Sequence, residues 1–115
     1  MNEVIINNNL FNVVTMISEK DIEHGMMNNS FSDNINGMLF VMKPGQHSFW
    51  MKNCLVSLDI IFIDENKINV IQHQCKPCKT EECPSYEGYG DLVLELPGGT
   101  CEKYNINDGD FIEFK

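Results

Sequence analysis

The sequence predicts a mainly β protein, a small sandwich or barrel with one or two short helices. Three observations predict it: eight short apolar or β-branched runs bounded by turn residues, only two short helical patterns, and a length of 115 residues that suits one core. No linker, repeat or low-complexity boundary divides the chain, so residues 1–115 are expected to form a single domain.

In chain order, Val4–Ile6 and Phe11–Ile17 read as the first strands. Ser18, followed three residues later by Asp21, resembles a capping box and opens the first helix. Residues 28–36 are polar enough for a loop, after which Met38–Met42 and Ser48–Lys52 read as strands. Asp59–Ile63 and Ile68–His73 are strongly apolar and flank the turn sequence "DENK" at 64–67. Asp59–Asp64 and Lys67–His73 should therefore pair as an antiparallel hairpin. Leu92–Leu96 is a further strand, and Gly98-Gly99-Thr100 turns from it into a helix ending near Asn105. "NDGD" at 107–110 leads into the last strand, Phe111–Phe114. Neither helix is long enough to persist without a sheet beneath it.

Composition narrows the function. The hydrophobic fraction of 43% is ordinary for a globular protein and too high for a disordered one. The chain has no Arg and no Ala and is rich in Asn, a usage that suggests an AT-rich genome such as that of a virus, a phage or a streamlined bacterium. Without Arg there is no guanidinium fork for two-point contact with phosphate or carboxylate. The formal charge of −9 further disfavours generic nucleic-acid binding. A small ligand or a protein, basic or neutral, suits that field better. The N-terminal stretch "MNEVIINNNL" has no basic segment followed by an apolar run, and no later run approaches a membrane span. We expect a soluble cytoplasmic protein with no membrane association. Five Cys in a reducing compartment argue against a framework of stable disulfides.

The stretch "FWMKNCLVSLDIIFID", Phe49 to Asp64, carries one carboxylate, Asp59, between Leu58 and Ile60. If the segment is extended, Asp59, Ile61 and Ile63 share one face, and Leu58, Ile60 and Phe62 share the other. Both faces are apolar, so Asp59 sits at a sheet edge or is buried, and a buried unpaired carboxylate costs several kcal/mol. In the structural reading, loop amides, Asn53 and Lys52 satisfy it and fix the turn at "NCLVS". In the functional reading, it is a general base or metal ligand with Lys52 as electrostatic partner.

Other constellations compete for a role. His73, Cys75, Cys78 and Cys83 form "HQCKPCKTEEC", four soft ligands suited to tetrahedral Zn2+. Alternation gives Glu95 and Val93 one strand face, opposite Leu92, Leu94 and Leu96. Glu95 is then either an exposed strand residue or a cleft carboxylate facing Asp59, where Mg2+ or Mn2+ could bridge the two. Trp50 is a core aromatic or a pocket wall. Cys54 has no adjacent His to activate it, and His24 and His47 are too distant in sequence to assign.

Several of these residues carry a family likeness. "GMLFV" (Gly37–Val41), "FWMKNCLVSLDIIFID", Pro77-Cys78 followed by Cys83-Pro84 and Tyr86, "VLELPGGT" (Val93–Thr100) and Gly109-Asp110 together resemble the domain of unknown function 192 family. "HGMM" (His24–Met27) looks like a diverged form of that family's Arg-Gly-Leu-Met segment. The resemblance extends from about Val14 onward and implies a compact, mainly β, jelly-roll-like domain, without an agreed activity. It covers Cys78 and Cys83 alone of the four soft ligands, which favours a local thiol pair, bridged in exported relatives. This chain departs from the pattern at Cys54, where the family has Thr, at Cys101, where Ala is common, and in lacking the Arg near the first helix.

The expected function is a small accessory or binding module with a polar cleft around Trp50, Lys52, Asp59 and Glu95, with Asn53 and Tyr86 also contacting ligand. The alternative is a metal-dependent phosphodiesterase or nuclease, in which Asp59 and Glu95 hold the metal and Lys52 stabilises the developing charge.

Overall fold

The computed structural model describes residues 3–32 and 34–115; Met1, Asn2 and Asp33, the last within the expected 28–36 loop, lie outside the described residues. The elements are β1 (Glu3–Ile6), β2 (Asn9–Met16), α1 (Glu19–His24), β3 (Gly37–Trp50), β4 (Leu58–Asp64), β5 (Lys67–Cys75), β6 (Ser85–Pro97), α2 (Thr100–Lys103) and β7 (Ile112–Phe114). The strands form one sheet in the order β5-β4-β6-β3-β2-β1-β7. That sheet curls until its outer strands approach. Lys67 at the start of β5 bridges Phe111 just ahead of β7, and Ile68 N–H donates to Asp110 O at 2.8 Å. The architecture is therefore a mainly β half-barrel with two short helices, as the strand pattern predicts.

Local sequence explains the turns. The β1–β2 connection places Asn7 and Asn8 at φ of 50° and 64°, and the β4–β5 connection places Glu65 and Asn66 at 50° and 63°. Two consecutive positive φ values match the right-handed twist of a hairpin, and Asn tolerates them better than most residues. The predicted hairpin across "DENK" is thus formed, with Asp64 opposite Lys67 and Ile61 opposite Ile71. Ser18 caps α1 through its hydroxyl, which accepts from Asp21 N–H at 3.1 Å.

Several boundaries differ from the sequence reading, and the expected Leu92–Leu96 strand is the end of a 13-residue β6 that begins at Ser85. Met38–Met42 and the Ser48–Trp50 part of the expected Ser48–Lys52 run belong to one 14-residue strand, because the register shift between Val41 and Gly45 carries β3 through Pro44 without breaking its pairing with β6; Met51 and Lys52 lie beyond its end. The second helix ends at Lys103 rather than Asn105, which adopts a left-handed φ of 54°.

Two apolar clusters lie on opposite faces of the central strands. Ile61, Ile63, Leu94 and Leu96 point into one with Val4, Ile6 and Cys101, whereas Leu58, Ile60, Phe62 and Val93 point into the other with Met26 and Met51. This is the alternation expected for fully buried strands. The neighbouring strands β6 and β4 are close at Gly90, where a Cβ would overlap the backbone of Ile63.

Candidate functional site

Asp59 is fully buried on β4, and its oxygens are occupied by the backbone. Oδ1 accepts from Gln74 N–H at 2.8 Å and from Gly99 N–H at 3.1 Å, and Oδ2 accepts from Cys101 N–H at 2.8 Å. The local conformations explain the donors. Between Leu58 and Ile60 the β4–β5 register slips, and Gln74 takes a φ of 47° that turns its amide toward β4. Gly99, at a φ of 93°, heads α2 without a side-chain cap of its own, so the Asp59 carboxylate takes over that task. Asp59 therefore ties the β5 bulge to the β6–α2 turn. Its charge is met by three amides, the arrangement that makes a buried carboxylate tolerable.

Glu95 lies on the other face. In the β4–β6 register Asp59 stands opposite Leu96, and Ile60 stands opposite Glu95. Directly opposed residues share a face, so Asp59 and Glu95 point to opposite sides of the sheet. The two carboxylates do not converge, and the geometry a bridging Mg2+ or Mn2+ needs is not formed. Glu95 is only 3% exposed, and its Oε1 has no hydrogen-bond partner within the protein. Burial pushes its carboxyl up to about 8, so the group is mostly protonated at neutral pH.

Glu95 forms part of a cavity of about 210 Å3 between the end of α1 and the second half of β3. His24 at the end of α1, Met27 from the segment after it, His47 and Trp50 from β3, and the buried Cys54 also border it. Exposure orders these groups in depth. Glu95 and Cys54 are buried at the inner end, while Trp50, 46% exposed, and His24 stand at the mouth. His47 Nε2 lies 2.6 Å from Lys43 O, and since a carbonyl only accepts, that nitrogen carries the proton. Burial, with a smaller contribution from Glu95, pushes the Cys54 thiol up to about 11, which leaves it un-ionised and a poor nucleophile. A second hollow of about 450 Å3 adjoins the first, sharing His24, Met27 and Trp50 and adding Met16 and Met38.

The remaining predicted residues are distributed around this cavity rather than gathered in it. Lys52 does not hold Asp59; its Nζ lies over the Trp50 ring, 5.2 Å from the centroid. Asn53 is exposed, with a φ of 60°, and works through its backbone: its N–H donates to Cys78 O at 3.0 Å, and its carbonyl accepts from Asn28 N–H at 2.9 Å. Tyr86 is half-buried opposite Phe49, packed against the Met26 and Met51 cluster, where burial raises its phenol.

The proposed Zn2+ tetrad is not assembled. Cys78 and Cys83 form a disulfide with Cα atoms 5.9 Å apart, so neither sulfur is a free thiolate, and the expectation of unbridged thiols is corrected at this pair. Cys75 is buried, its Sγ donating to Gln72 O at 3.4 Å, while His73 is exposed beside Asn105 and Asn107. Desolvation, reinforced by Asp59 and Glu95, pushes the Cys75 thiol up to about 12. Among the described residues no group of three or more His, Cys, Asp or Glu could hold a metal ion. Among them, too, no helix is long and apolar enough to cross a membrane.

The sequence reading missed the neighbours of Glu95. His24 and His47 are 23 residues apart and were unassignable without the fold, yet both border one cavity with Cys54. The available signal was the face assignment of Glu95 with Val93 together with the "HGMM" segment, whose residues line this cavity.

Comparison with known proteins agrees with the fold. A crystal structure of a protein of unknown function from Novosphingobium aromaticivorans superposes with a TM-score of 0.83 at 26% identity, covering 97% of this chain and 84% of that one. A structure from Sinorhizobium meliloti, described as a "putative transcription regulator", superposes with a TM-score of 0.82 at 26% identity, covering 96% and 89%. No curated protein matches the chain. Residues 3–114 match the family described as uncharacterized ACR, and the chain belongs to this domain of unknown function 192 family.

Proposed function

We propose that this chain is a single-domain, small-ligand-binding module whose cleft enters beside Trp50 and ends at Glu95. The observation that carries this reading is a nearly inaccessible carboxyl, with an oxygen that no protein group bonds, bordering a cavity of about 210 Å3. A polar group in such a position is costly to leave unpaired, and a ligand that bonds it recovers that cost. The cavity combines this one deep polar group with thioether and aromatic walls, the usual composition of a small-molecule site. Of the cleft expected from sequence, Trp50 and Glu95 border this cavity, Lys52 acts through Trp50, and Asp59 braces the opposite face. The regulator description of the Sinorhizobium relative finds no support in direct DNA contact here, because the chain carries a charge of −9 and no Arg.

The test is a fragment screen followed by amide-resolved NMR. Binders should shift the resonances of His24, His47, Phe49, Trp50 and Glu95 as one cluster and quench the single Trp. Shifts gathered elsewhere, or none from a chemically diverse panel, would overturn the reading.

A further inference from the structure

We infer that the ligand of this cavity is a small organic cation, an amine on a short apolar body, held by the Glu95 carboxylate; the inference rests on the cavity being a ligand site. Four observations lead to it.

The inner end of the cavity offers an acceptor without a donor. Glu95 Oε1 is buried and unbonded, flanked in register by Ile60 on β4 and Met38 on β3. No Lys borders the 210 Å3 cavity; Lys20 borders the adjoining hollow, which Glu95 does not line, and the Lys52 ammonium lies over the Trp50 ring. A cation that completes Glu95 therefore has to come from outside.

The walls suit such a guest. Met26, Met27 and Met42 contribute polarisable thioethers, and Phe49 and Trp50 contribute rings that attract cations through their negative faces. The volume corresponds to roughly seven water molecules at liquid density, room for an amine of about six to nine non-hydrogen atoms. Finally, the formal charge of −9 draws cations toward the protein and repels anions.

Protons follow from the same geometry. The titratable groups around Glu95 are Glu23 and His24 from α1 and its end, His47 from β3, Cys54 from the following turn and Cys75 from β5. Burial holds the empty-site carboxyl protonated up to about pH 8. When an ammonium enters at pH 7, the carboxyl proton passes to solvent and an ammonium–carboxylate pair remains. Affinity should therefore rise about tenfold per pH unit below pH 8 and level off above it.

The experiment is calorimetry on the intact protein with isopentylamine and benzylamine, against the matching alcohols and isovalerate, from pH 6 to 9. Glu95→Gln, close in shape to the protonated acid, is measured alongside after its NMR spectrum has established that it is folded. We expect the amines to bind at least about tenfold more tightly than their alcohols, with the pH profile above. The variant should lose at least about tenfold in amine affinity and all of the pH dependence. The wild-type pH profile needs no variant and stands as an independent readout. Alcohols or isovalerate binding in the cavity as tightly as the amines would overturn the cation assignment and leave the ligand site intact. Equal amine binding by Glu95→Gln would do the same. No binding by any compound, together with an empty fragment screen, would overturn both.

Discussion

Glu95→Gln should become more stabilising, relative to wild type, as pH rises. The wild-type carboxyl ordinarily ionises near 4.5 in an open chain and is pushed up to about 8 by burial in the folded protein. Below pH 4.5 it is protonated in both states and contributes no pH dependence. Between 4.5 and 8 the unfolded chain releases the proton while the folded protein holds it, so ionisation favours unfolding and wild-type stability falls with rising pH. Above pH 8 both states are ionised and the loss is constant. At about 1.4 kcal/mol per pH unit, the interval from 4.5 to 7 is worth about 3 kcal/mol. That is a large share of the roughly 5–15 kcal/mol typical of a domain. The Gln amide cannot titrate, so its own packing adds only a pH-independent offset. Urea unfolding of both proteins at pH 4.5, 6, 7 and 8 measures the difference, in which every other titrating group cancels to first order. A difference that stays flat across this window would refute the reasoning, since it would mean that Glu95 is hydrated or paired in the folded protein.

Three further outcomes follow from other contacts. Asp59→Asn turns a donor toward amides that now bond an acceptor, and should cost about 2–4 kcal/mol in urea unfolding while leaving fragment shifts around Trp50 intact, because Asp59 faces away from the cavity. A loss of cavity binding in a folded Asp59→Asn variant would contradict that separation. Gly90→Ala drives a Cβ into the Ile63 backbone, which cannot yield as a side-chain tip does, and should lower stability by about 1–3 kcal/mol or more; an unchanged melting temperature would show that the strands are not this close. Reducing the Cys78–Cys83 bond opens a short loop that braces Met51 and Asn53, and should cost about 2 kcal/mol and change Trp50 fluorescence. Identical unfolding curves with and without reductant would remove the disulfide from the account.

Much of the fold was legible because its signals are local. Apolar runs and turn residues fixed the strands, Ser18 and Asp21 fixed the start of α1, and "DENK" fixed the β4–β5 hairpin. The period-2 alternation also assigned Ile61 and Ile63 to one face of β4 and Val93 and Glu95 to one face of β6. What alternation cannot provide is the register between those two strands, whose paired residues lie 29 to 39 positions apart in sequence. A slip of one residue exchanges every facing pair. Only the observed pairing of Ile60 with Glu95 separates the two carboxylates, sending Asp59 to three backbone amides and Glu95 to the cavity.

The Cys-rich segment behaves in the same way. Its spacing admits a metal site or a thiol pair, and the choice depends on where β5 ends and how the following loop folds back onto Met51 and Asn53. By itself the sequence determined the class of fold, the turns and the presence of polar groups that burial would make costly. The tertiary structure alone decided which of those groups the backbone satisfies and which keeps an oxygen unbonded, because partners for a buried charge come from segments that only folding brings together.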